Sequence, residues 1–109
     1  LLLLGTVRFA GPAGSGAPPH FHRGAYNVLV FGEKLWILFP PRHAIYSKKA
    51  ARAFLLEDLP ATATTVLKCV QHSGDILFVP PMWSHGVLNL AESIGYASEI
   101  EWGTSGLDY

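Results

Sequence analysis

His20 and His22 flank Phe21 near the start of this sequence, and His85 lies in Ser84-His85-Gly86 far downstream. On an extended strand side chains alternate between faces, so His20 and His22 point one way and Phe21 the other. Two imidazoles on one face make two arms of a metal clamp. A third arm has to come from elsewhere in the chain, and His85 is the candidate. A His-x-His pair taken alone also fits surface or hydrogen-bonded histidines, a common use of this side chain. Gly14-Ser15-Gly16-Ala17-Pro18-Pro19 suits tight or fixed backbone angles and reads as the turn that delivers the histidines.

Lys34 is the other chemically interesting position. It opens Lys34-Leu35-Trp36-Ile37-Leu38-Phe39, an otherwise apolar run. Alternation puts it on one face with Trp36 and Leu38. Two readings stand side by side. A lysine at a sheet edge can snorkel its ammonium into water. An inward lysine instead calls for an anionic ligand, because an unpaired buried charge is costly. By the same alternation His85 shares a face with Val87 and Asn89, and Asn27 with Leu29 and Phe31.

The elements that must position these residues are short strands. Thr6 to Ala10 reads as a strand, residues 11–19 as a loop, and His20 to His22 as a strand end. Asn27 to Phe31 and Lys34 to Phe39, joined through Gly32-Glu33, look like a hairpin that Pro40-Pro41 stops. Ser47 to Leu56 is the best helix candidate, with Ser47 as a possible N-cap. Thr64 to Val70 returns to a β-branched pattern. Residues 71–75 read as a turn, and Ile76 to Val79, Ser84 to Leu90 and Ile94 to Ile100 as strands. His43 and His72 fall in predicted loops or turns, where solvent exposure is expected. Seven or eight short strands with turn punctuation predict an all-β sandwich or barrel with a helical insertion.

A chain of 109 residues, half of them hydrophobic, supports one domain at most. Eight basic and eight acidic side chains balance. The sequence has no basic patch, which argues against phosphate-backbone binding as the main task. The apolar Leu1–Leu4 run is far too short to span a bilayer and lacks the basic flank of a signal peptide. The single cysteine, Cys69, rules out an internal disulfide and a cysteine-based zinc cluster. The chain does not begin with Met, and the expectation is that residues 1–109 are the core of a longer protein.

Several blocks together resemble a known family. They are Gly14-Ser15-Gly16, His20-x-His22, Asn27-Val28-Leu29, Gly32-x-Lys34-x-Trp36-x-Leu38-Phe39-Pro40-Pro41, Gly74-Asp75-Ile76-Leu77-Phe78-Val79-Pro80-Pro81-x-Trp83-x-His85 and Val87-Leu88-Asn89-Leu90. In this order, over about residues 6 to 100, they resemble a JmjC domain, a cupin-like group among the Fe(II)- and 2-oxoglutarate-dependent oxygenases. The resemblance implies a double-stranded β-helix, a jelly-roll or cupin-like barrel with its site in the mouth. It implies His20, His22 and His85 as metal ligands. Lys34 would pair with the distal carboxylate of 2-oxoglutarate, and Asn27 and Asn89 would line the cosubstrate pocket. No catalytic side chain beyond the metal site is implied. Trp36 and Trp83 match aromatic packing positions.

The sequence departs from that family where its chemistry is centred. The common motif is His-x-Asp or His-x-Glu, matching the two-His-one-carboxylate set of non-haem iron oxygenases. Here position 22 is histidine, so the metal would keep more positive charge. Imidazoles still suit iron, and equally zinc, copper or nickel, so another divalent metal is an alternative. Ala17 and Ala97 stand where relatives often carry hydroxyls near the cosubstrate. The expected activity is oxidation of a protein side chain, hydroxylation ahead of demethylation. The alternatives are a catalytically impaired JmjC-like module that binds a metal or protein partner, and a three-His site of another cupin chemistry.

Overall fold

Leu35-Trp36-Ile37-Leu38-Phe39 has no polar residue to turn toward water, and the fold buries both its faces. The computed structural model describes residues 2–20, 23–62 and 66–101. Among them the chain forms eight strands: β1 (Leu2–Gly11), β2 (Gly16–His20), β3 (Ala25–Phe31), β4 (Glu33–Phe39), β5 (Leu67–His72), β6 (Ile76–Val79), β7 (Ser84–Asn89) and β8 (Ser93–Glu101). They build two four-stranded sheets, ordered β1-β8-β3-β6 and β2-β7-β4-β5, with antiparallel pairing throughout. The strands switch between sheets along the chain, as in a jelly roll. This is the all-β double-stranded β-helix that the sequence blocks imply.

Strand β4 shows how the core divides. Trp36 and Leu38 face the space between the sheets, where they pack with Val79, Cys69, Leu77, Trp83 and Val87. Ile37 and Phe39 face outward and are covered by Phe54, with Ile45, Leu55 and Leu59 around them. Phe54 belongs to a helical segment over residues 51–62, α-helical at Ala51–Ala53 and Leu59–Thr62 and π-helical at Phe54–Asp58. A strand covered on both faces reads as a continuous hydrophobic run. No described helix is long and apolar enough to cross a membrane.

Four local expectations are corrected. The hairpin over Asn27 to Phe39 does not form, because β3 and β4 lie in different sheets. Gly32, at φ +110°, carries the chain across, and a Cβ there would collide with Glu92 O and Ser93 Oγ. The helix begins at Ala51 rather than Ser47. Ser47 instead accepts from Lys49 N (3.1 Å), a local turn that precedes the helix. Residues 16–19 are strand, not loop. Pro18 and Pro19 lack N–H donors and sit where the β2–β7 register shifts, between the pairs Ala17–Val87 and His20–His85. Gln71 and His72 belong to β5, so the turn is confined to the residues that follow, with Gly74 at φ +91°. Thr64 and Trp102 lie outside the described residues.

Candidate functional site

The register between sheet strands brings the distant histidines together. His20, the last residue of β2, stands opposite His85 on β7. Their ring centroids are 4.4 Å apart with planes at 59°. Each Nδ1 lies by a backbone carbonyl two residues back, His20 by Pro18 O (2.9 Å) and His85 by Trp83 O (3.2 Å). A carbonyl only accepts, so Nδ1 is the donor in both contacts, and in a neutral ring the lone pair is then on Nε2. A backbone carbonyl on one ring nitrogen is a common way to leave the other available to a metal. His22 lies outside the described residues. Among the described residues no group of three His, Cys, Asp or Glu is gathered to hold an ion.

The histidines line one end of a cavity of about 430 Å³ between the sheets. On β4, Leu38 pairs with His85 and Lys34 pairs with Asn89. Lys34 is therefore four residues along the strand from the histidine end, about 13 Å in backbone terms. Its side chain is 6% exposed. Nζ lies 3.4 Å from the centre of the Phe9 ring, and no described carboxylate forms an ion pair with it. Burial without a counter-charge pulls its pKa from 10.5 to about 8. Lys34 points inward and is not a snorkelling edge lysine, since its strand is central in its sheet and its inner face meets the cavity.

Asn27 and Asn89 line the same cavity and are buried. Their Oδ1 atoms have no hydrogen-bond partner among the described residues. Buried amide oxygens are normally satisfied, so this pair is suited to a polar guest or water. Asn89 is oriented by a short relay: its Nδ2 donates to Ser15 Oγ (2.9 Å), which donates to Pro12 O (2.6 Å). Ala17 and Ala97 also form part of the wall. Asn27 and Leu29 face inward as alternation predicts, but Phe31 is 54% exposed. A register irregularity between Leu29 and Phe31 turns it out.

Gln71 and Phe9 are the positions that sequence reasoning missed. The Gln71 amide accepts from Trp36 Nε1 (2.8 Å) and donates to Asn27 O (3.0 Å) and Asp75 O (3.1 Å). It ties β4 in one sheet to β3 in the other and holds Trp36 whose ring centre is 5.9 Å from that of His85. The Gln-His-Ser-Gly-Asp composition pointed to a turn and gave no sign of this role. His72, by contrast, is exposed as expected, near Glu33 and Asp75 at 3.6 Å each.

The double-stranded β-helix, with two backbone-oriented imidazoles at one end of its cavity and a buried ammonium at the other, is a fold of the cupin class. Comparison with known families matches residues 3–105 to the JmjC domain. The chain belongs to the JmjC domain family. It is 36% identical over 86 residues to mouse JmjC domain-containing protein 8, covering 75% of this chain and 32% of that protein. It is 35% identical over 101 residues to human 2-oxoglutarate and iron-dependent oxygenase JMJD4, covering 79% and 24%. It is 32% identical over 99 residues to Arabidopsis thaliana arginine-specific demethylase JMJ20, covering 79% and 21%. The chain thus spans about a third or less of the length of these relatives.

Proposed function

We propose that this domain binds Fe(II) and 2-oxoglutarate and supports oxidation of a protein side chain, hydroxylation ahead of demethylation. One observation supports the reading: a buried lysine with no carboxylate partner among the described residues shares a cavity with two imidazoles whose Nδ1 atoms each meet a backbone carbonyl. His20, His22 and His85 would hold the metal. Lys34 would receive the distal carboxylate, and Asn27 and Asn89 would line its path. The bound pair supplies oxidation of a C–H bond by O2. The residues of this chain bind and orient it: Lys34 supplies the counter-charge, and Trp36, Val79 and Val87 exclude water with apolar walls.

The test is anaerobic titration of metal-free protein with Fe(II) and 2-oxoglutarate, followed by the visible charge-transfer band of the chelated 2-oxo acid. The band is expected in the wild type, absent in His85→Ala and weakened in Lys34→Ala. Absence of any band in the wild type overturns the reading.

A second reading rests on His22, Ala17 and Ala97, which remove the customary carboxylate and two hydroxyls. Each lost hydroxyl costs a hydrogen bond worth about 0.5–1.5 kcal/mol. On this reading the domain binds a metal or a protein partner with impaired catalysis. Wild-type protein then forms no product with 2-oxoglutarate, while His22→Asp gains turnover. Coupled consumption of 2-oxoglutarate by the wild type eliminates it.

A further inference from the structure

We infer that Phe9 is the stopper of the cavity and sets the length of the dicarboxylate it accepts, an inference that rests on the proposed 2-oxo acid reading. Strand β1 places Phe9 directly opposite Gly95 of β8. A Cβ on Gly95 would stand 2.5 Å from Phe9 Cζ, so the missing side chain is the space that the ring occupies. The ring also meets the Lys34 ammonium, 3.4 Å from its centre.

Phe9 also borders two separate spaces. It lines the inner cavity at the Lys34 end, and it lines an open groove bordered by Gly95, Ile94, Tyr96 and Val30. The groove lies on the outer face of the sheet, across the β1–β8 backbone from the ring, which points into the cavity onto Lys34. Lys34 fixes where a distal carboxylate can stop, and Phe9 closes the volume behind it. Asn89 and Ser15, joined by their hydrogen bond, form a neighbouring part of the wall. A flexible apolar residue would not hold this place as well. A phenyl ring is rigid, and its face attracts the ammonium that must stay at this depth.

The experiment measures affinities of the Mn(II)-loaded protein for 2-oxoglutarate and for 2-oxoadipate, one methylene longer, by titration calorimetry. In the wild type the shorter acid is expected to bind more tightly by about 10–200-fold, the usual penalty for a methylene without space. Phe9→Ala lengthens the cavity at the Lys34 end and is expected to reduce that ratio to within a few fold of unity. Phe9→Leu, which keeps an apolar plug of smaller size, falls between and serves if the alanine variant does not fold. A general packing defect weakens both acids together and leaves the ratio alone. An unchanged ratio in a folded variant, or no preference in the wild type, overturns the stopper role while leaving the 2-oxo acid reading intact. Failure of the wild type to bind either acid overturns that reading, and the length gauge with it.

Discussion

Replacing Lys34 by methionine should stabilise the ligand-free domain while weakening its response to 2-oxoglutarate. The fall in the Lys34 pKa from 10.5 to about 8 converts to about 3 kcal/mol of cost for the charged form, at 1.36 kcal/mol per tenfold. The ammonium borders a cavity that water can enter, so screening reduces this to about 1–2 kcal/mol. Methionine has similar reach and no charge, so Lys34→Met should gain that amount at pH 7. The sign of the pH dependence follows from proton uptake. Between about pH 8 and 10.5 the unfolded chain keeps the Lys34 proton that the folded chain has released. Wild-type stability therefore rises with pH across this window through Lys34, and the variant lacks that rise. The advantage of the variant is full below about pH 8 and closes toward 10.5. Urea unfolding of both proteins at several pH values, without metal, measures the gap, and other titrating groups cancel in the difference. With metal present in both, adding 2-oxoglutarate at a hundred times its wild-type dissociation constant should raise wild-type stability by about 2.7 kcal/mol and that of Lys34→Met distinctly less. A variant less stable than the wild type at pH 7, or a gap that stays constant with pH, would refute the assignment of Lys34 as a buried, uncompensated charge.

Three further outcomes are expected. Gln71→Leu removes three hydrogen bonds and strands the Trp36 Nε1–H and Asn27 O; denaturant unfolding should register a loss of about 2–4 kcal/mol. Gly32→Ala and Gly14→Ala both meet positive φ, at +110° and +87°, but only Gly32 also faces a collision. The Gly14 change should cost about 1–2 kcal/mol for the left-handed backbone, and the Gly32 change distinctly more, in a comparison of melting curves. Ser15→Ala frees the Asn89 amide to rotate, and calorimetry should find 2-oxoglutarate binding weakened by about three- to tenfold, equivalent to a lost hydrogen bond.

The parts of the site that were legible in the sequence are those governed by neighbours along the chain. Strand alternation put Lys34 on the face of Trp36, and His85 on the face of Val87 and Asn89, and the cavity lining contains all five. Glycine and proline punctuation marked the ends of Ile76–Val79 and the approach to His20. The same local rules misjudged positions where a partner from elsewhere intervenes. Asn27 to Phe39 carries the composition of a hairpin, yet Gly32 serves as readily for a crossing between sheets. Pro18 and Pro19 suggest a loop, yet a register shift lets the strand contain them. Ser47 has the chemistry of an N-cap, but the segment after it turns locally before the helix begins.

What the sequence determined by itself was the set of strands, the faces they present and the residue types available for a metal and an anion. The tertiary structure alone decided that β2 and β7 bring His20 against His85, that Gln71 joins the two sheets through buried hydrogen bonds, and that Phe9 lies between Gly95 and the Lys34 ammonium. The physical reason is range. Side-chain alternation follows from backbone geometry within a few residues. Strand pairing and cavity shape instead depend on contacts between segments far apart in the chain, such as Phe9 and Gly95, whose local sequences carry no mark of one another.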